Sequence, residues 1–174
     1  TVAGLQGGTE SLAAEPLPLF VLTAHRMVDG EKVRLDAEFG WTSVVVESNE
    51  MGLRIVWNGP GEGPKDLRVI MVANADREQS TIRWDLKAEV GEDASVWRVD
   101  FPLAVGRPGP EGRVFFPRGP GEAKSGLWEE EFDWSHTYPG GWQAGMQFMA
   151  AYDAQERRGL YFGLHDPRGG TKEI

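Results

Sequence analysis

Between Leu127 and Trp142 the chain reads Leu-Trp-Glu-Glu-Glu-Phe-Asp-Trp-Ser-His-Thr-Tyr-Pro-Gly-Gly-Trp, which sets three tryptophans, a tyrosine, a histidine and four carboxylates within sixteen residues. That mixture suits carbohydrate. Sugar rings offer apolar C–H faces that stack on indole and phenol rings, and such rings supply rigid contact area at little entropic cost. Neighbouring carboxylates accept hydrogen bonds from sugar hydroxyls. Trp134, His136, Tyr138 and Trp142 are the candidate contacts here, and His165 and Asp166 join them from the later stretch Gly159-Leu-Tyr-Phe-Gly-Leu-His-Asp-Pro167. The same residues also have a purely structural explanation. Trp128 and Phe132 would plug the end of a sandwich, the acidic run would be solvated, and Asp166 before Pro167 would start a turn.

His136 or His165 with one of Glu129, Glu130, Glu131, Asp133 or Asp166 could also supply a general acid–base pair, which needs two titratable groups in different environments. Spacing does not say whether they meet, and no catalytic residue is assigned. His25 falls inside a strand pattern on the face of Val21 and Thr23 and is read as a satisfied strand histidine. No His-x-x-x-His, Glu-x-x-His or Asp-x-Asp-x-Asp-Gly pattern occurs, so no metal or other cofactor is expected; no Gly-x-Ser-x-Gly occurs either. There is no cysteine, which removes disulfides, thiolate zinc sites and cysteine nucleophiles together.

Charge narrows the partners. The 174 residues carry a formal net charge of −9, and the basic residues are scattered apart from Arg157-Arg158. Such a field repels polyphosphate and anionic lipid, so nucleic acid is not an expected partner. No run of about 18 apolar residues is present, and no membrane partner is expected. Three loops rich in glycine and proline, at 58–64, 106–112 and 117–126, do not end in Gly-Lys-Ser/Thr or open a helix, and turn chemistry explains them.

The elements that must hold these residues are strands. Period-two alternation dominates: Ile82, Trp84, Leu86, Ala88 and Val90 share one face, with Arg83, Asp85, Lys87 and Glu89 on the other. After Gly91-Glu-Asp93 the pattern resumes with Trp97, Val99, Phe101 and Leu103 on a common face, which predicts a hairpin of 81–90 with 96–105. Val33, Leu35, Ala37 and Phe39 are expected inward after an Asp29-Gly30 turn from a strand over 20–26. Further strands are expected at 42–47, 53–57, 67–73, 146–153 and 160–165, for about ten in all. No window shows a helical stripe. The fold class is therefore all-β, an antiparallel two-sheet β-sandwich, because one sheet alone would leave an apolar face wet. The start at Thr1 and the sudden end at Ile174 suggest a single β-sandwich domain, 1–174, excised from a longer multidomain protein.

Several segments in order carry a resemblance: Trp84-Asp-Leu-Lys-Ala-Glu-Val90, Val99-Asp-Phe-Pro102, Tyr138-Pro-Gly140, Met146-Gln-Phe-Met-Ala-Ala-Tyr-Asp153 and Gly159 to Pro167. Together they are similar to the galactose-mutarotase-like β-supersandwich domain of bacterial glycoside-hydrolase-like proteins, which precedes a (β/α)8 barrel. The resemblance implies a noncatalytic module that supports the barrel of the same parent chain and contacts a glycan or oligosaccharide. It also implies a secreted or periplasmic setting. Two alternatives stand beside it: an autonomous carbohydrate-binding module, and an aldose epimerase working through His165 and a carboxylate. The histidine and glutamate motifs of true mutarotases have no match here.

Overall fold

A computed structural model of the chain describes residues 6–7, 10–11, 17–103, 111–126, 134–140, 142–155, 157–165 and 170–173. Among these residues every regular element is a strand, and every strand pairing is antiparallel. The chain forms two compact units, Thr1–Ala3 with Pro16–Ala104, and Gly4–Glu15 with Val105–Ile174. The short ladder of β1 (Gln6–Gly7) and β2 (Glu10–Ser11) belongs to the second.

The first unit is a two-sheet sandwich. Strand β3 (Val21–Arg26) forms the expected hairpin with β4 (Lys32–Asp36). Its turn needs Gly30, whose φ of 73° is a conformation that side chains with a Cβ rarely adopt. The Asp29 carboxylate accepts hydrogen bonds from Arg26 Nε at 3.0 Å and Glu31 N at 3.1 Å. Then β5 (Trp41–Ser48), β6 (Gly52–Pro60), β7 (Arg68–Asp76) and β8 (Thr81–Glu89) run as a four-stranded meander. Strand β9 (Ala94–Asp100) returns to the first sheet, giving the order β4-β3-β9. Alternation puts Leu22, Ala24 and Leu35 of one sheet against Trp57, Val69, Met71 and Ala73 of the other, and these form one buried cluster with Leu19, Phe20 and Leu67.

Phe20 is the wedge. Fully buried, it meets the Trp57 ring edge-on at 5.0 Å and the Trp41 ring at 6.3 Å. Both indoles donate across the core to backbone at the end of β4, Trp41 Nε1 to Asp36 O at 2.9 Å and Trp57 Nε1 to Ala37 O at 3.1 Å.

Three sequence expectations need correction. The segments 81–90 and 96–105 do not pair: β8 is an edge of the four-stranded sheet, and β9 pairs with β3. Pairing β9 with β8 would have left β3 and β4 as an isolated two-stranded ribbon, a marginal structure in water. Crossing between the sheets lets Phe101 face Trp84, their rings 6.3 Å apart. Trp97 also does not face inward with Phe101, and Val99 is itself 36% exposed; Val96 and Phe101 are the residues of this stretch packed against the core. The register of β3 with β9 slips between Thr23 and Ala24, leaving Trp97 as an extra residue opposite that step. The bulge turns it outward, where it is 64% exposed, meets the His25 ring edge and carries Lys32 Nζ over its own ring at 4.2 Å.

In the second unit β10 (Arg113–Phe116), β11 (Glu122–Ser125), β13 (Phe148–Asp153) and β14 (Arg158–Gly163) form a sheet of order β11-β10-β13-β14, while β12 (Thr137–Tyr138) pairs with β15 (Lys172–Glu173). The third correction lies here, because the stretch 117–126 is not all loop. It is a hairpin turn followed by strand β11.

Two outcomes are expected. Phe20→Ala removes the wedge and should lower unfolding free energy by about 3–5 kcal/mol in a urea titration. The Asp29 carboxyl is held below the usual aspartate range by its hydrogen bond to Arg26 and then by the Glu31 amide. A group so depressed stabilises the hairpin above the ordinary aspartate pKa, and that contribution is lost as pH falls through the depressed value. NMR titration should find Asp29 below a free aspartate, and Arg26→Ala should move it up.

Candidate functional site

The candidate rings are positioned by the second unit. Pro117 and Ala144 are buried anchors, and between them two short segments are tied back to back: Gly119 N donates to Trp142 O at 3.0 Å and Gly145 N to Pro117 O at 2.8 Å. Two further backbone hydrogen bonds flank Trp142, Gly140 N to Ala144 O at 3.3 Å and Gln143 N to Gly140 O at 3.1 Å. Trp142 is therefore fixed through its backbone while its side chain is 83% exposed. Gly119 makes room for it. With φ of 54°, a Cβ there would come within 3.1 Å of Trp142 Cε3, so the indole rests close over bare backbone.

Trp134 and His136 form a second group. Their rings meet edge-on at 5.0 Å, and Trp134 packs on Phe116 at 5.5 Å. Phe116 is buried in β10, while Trp134 and His136 are both half-buried. Trp134 Nε1 is itself buried and finds no hydrogen-bond partner among the described residues. Tyr138, half-buried in β12, is opposite Lys172 of β15, whose Nζ is 5.7 Å from the phenol ring centre.

The carboxylate delivered to this segment is one that sequence reasoning missed. Glu173 in β15 accepts a hydrogen bond from Ser135 Oγ at 2.6 Å, between Trp134 and His136 in the chain. Nothing in the last residues of the sequence signals that a two-residue strand will fold back beside 135–138. Glu129, Glu130, Glu131, Asp133 and Asp166, with Trp128 and Phe132, lie outside the described residues.

His165 is placed differently. It follows β14 and is exposed, with Nε2 close enough to Gly163 that a Cβ there would meet it at 2.9 Å and Tyr161 Oη at 2.6 Å. Thus the structure brings His165 beside the Tyr161 hydroxyl, and His136 beside Trp134. Among the described residues neither histidine hydrogen-bonds a carboxylate, and no group of three or more His, Asp or Glu is placed to hold a metal ion.

Two further exposed rings were not among the sequence candidates. Tyr161 ends a cross-strand ladder in which Phe115 and Phe148 stack at 5.2 Å and 9°, and Phe148 meets Tyr161 at 5.4 Å. Its signal was the alternation in Gly159 to Gly163, legible once β13 and β14 are paired. Trp97 of the first unit is the other, and only the bulge exposes it. Comparison with protein-family models, curated proteins and solved structures finds no match. The site must be judged on its own chemistry.

Stacking needs a free ring face, and this separates the rings. Phe115 and Phe148 spend faces on each other, Trp134 is packed on Phe116, and Lys32 covers Trp97. Among the described residues Trp142 is the most exposed tryptophan, on a backbone held by four hydrogen bonds. Gly119→Ala should cost about 1–3 kcal/mol, because a left-handed conformation is strained for alanine and the new methyl meets the indole. Thermal denaturation measures the loss, and a change in tryptophan fluorescence reports the displaced ring.

Proposed function

We propose that this chain is a noncatalytic β-sandwich module of a carbohydrate-active, glycoside-hydrolase-like protein, which supports a catalytic barrel of the parent chain and touches glycan through Trp142. One observation carries the glycan contact: a tryptophan left 83% exposed on a turn whose backbone is pinned at both ends. A large exposed apolar ring on a rigid mount costs solvation and adds nothing to the core. It does provide a pre-organised stacking surface for a pyranose. The resemblance of the ordered segments to the supersandwich of glycosidase-like proteins supports the choice of sugar as ligand. Tyr138, His136 and His165 are the polar groups of the same unit that could accept or donate to hydroxyls, with Glu173 already engaged by Ser135. Asp166 belongs to the proposed set from sequence alone.

A single exposed ring gives weak binding, with Kd about 1 mM. Titration calorimetry of the chain against soluble oligosaccharides should show it, and Trp142→Ala should weaken it about tenfold or more while shifting the thermal midpoint little. Absence of any binding up to about 10 mM would remove the glycan contact and leave only the supporting role.

A further inference from the structure

We infer that β5 is a pairing edge, and that two copies of this chain join through it with their β5 strands antiparallel about a two-fold axis at Val45. Strand β5 ends the four-stranded sheet, and no strand among the described residues pairs with its outer side. It is eight residues long and carries Val44, Val45 and Val46 at 49%, 46% and 60% exposure. A long, apolar, open edge is a template for another strand, and proteins ordinarily blunt such edges with charge.

The other edges of the first unit are blunted in that way. Strand β4 carries Lys32, Arg34 and Asp36; β8 carries Arg83, Asp85, Lys87 and Glu89; β9 carries Arg98 and Asp100. Against them β5 has Glu47 alone, near one end and neutralised within the chain by Arg54 Nη1 at 2.9 Å. Among these edges the strand with the least charge is thus the one with three consecutive exposed valines.

The occupant follows from the order of residues. Thr42-Ser43-Val44-Val45-Val46-Glu47-Ser48 is symmetric in polarity about Val45. Pairing about that residue sets Val45 against its copy, Val44 against Val46, Ser43 against Glu47 and Thr42 against Ser48. The two carboxylates stay apart, each opposite a hydroxyl. The register also satisfies the backbone. Alternate residues of an edge strand aim their N–H and C=O outward, and each of these pairs joins residues of the same parity, so outward groups meet outward groups. A two-fold axis normal to the sheet keeps like faces together. Val44 and Val46, in register with Trp57 and Ile55, would then continue the core face from one copy to the next.

Sedimentation of the 174-residue chain over a range from low micromolar to several hundred micromolar should show a reversible dimer. Val45→Lys places two ammonium groups opposite each other and should raise the dimer Kd about tenfold or more, with the circular dichroism spectrum and melting midpoint retained. Because the chain has no cysteine, single replacements give a second, independent measurement. Under mild oxidation Val45→Cys should yield covalent dimer in excess of Val46→Cys, whose partner in this register is Val44. A monomer at every concentration would overturn the inference. So would a dimer untouched by a folded Val45→Lys variant, or equal cross-linking from the two cysteine variants. If Val45→Lys fails to fold, the cysteine pair decides.

Discussion

The sandwich of the first unit rests on how Phe20 is held. Two antiparallel sheets have no covalent reason to face each other at a fixed separation; interdigitating side chains set it. Here the ring of Phe20 fills the gap edge-on to Trp57 and Trp41, and the two indole N–H groups reach past it to carbonyls at the end of β4. Each tryptophan thereby buries its large apolar body and satisfies its one polar atom in the same move, which is the condition for placing an indole in a core. Leu22, Leu35, Val69 and Met71 complete a layer whose position those three aromatics define.

The second unit uses aromatic residues in two ways that the geometry keeps distinct. Where rings come from neighbouring strands as diagonal neighbours on one face, as with Phe148 two residues from Ala150, the register partner of Phe115, they stack on one another and stiffen the sheet. Where a ring comes from a turn tied down by backbone hydrogen bonds, as with Trp142, no strand neighbour is available to cover it. Rigid mounting with an open face is the property that a stacking site requires, since little freedom remains to be lost on contact. His136, Tyr138 and Ser135 occupy a strip organised by β15, so the polar chemistry near the rings depends on residues at the end of the chain.

How much of this was legible in the sequence depended on the range of the interaction. The β3–β4 hairpin, the strands β5 to β8 and the pair β13–β14 were readable, since each is set by alternation and by turn residues such as Asp29-Gly30 that act locally. The partner of β9 was not. Alternation says that a strand has two faces but not which edge it joins, and the gain came from covering β3 in another sheet. Trp97 was misplaced because a single extra residue reverses facing, and nothing in Val-Trp-Arg marks the slip. Strands β10 and β11 were hidden by the glycines and prolines around them. Of the candidate site, the rings were visible by type, whereas Glu173 was not, because its approach to Ser135 bridges 38 residues of chain.

The distribution of indoles between the two units has a spectroscopic consequence. Trp57, at 4% exposure, is shielded within the first unit, while Trp142, at 83%, faces water in the second. Excited indole emits at shorter wavelength in an apolar, rigid setting than in a relaxing aqueous one. The chain has seven tryptophans, and Trp97 of the first unit is itself 64% exposed, so Trp57 and Trp142 serve as a pair of optical probes, one for each unit, once the other indoles are replaced. A quencher dissolved in the solvent would reach Trp142 and be shut out from Trp57, so the loosening of the sandwich interior could be told apart from events at the outer ring.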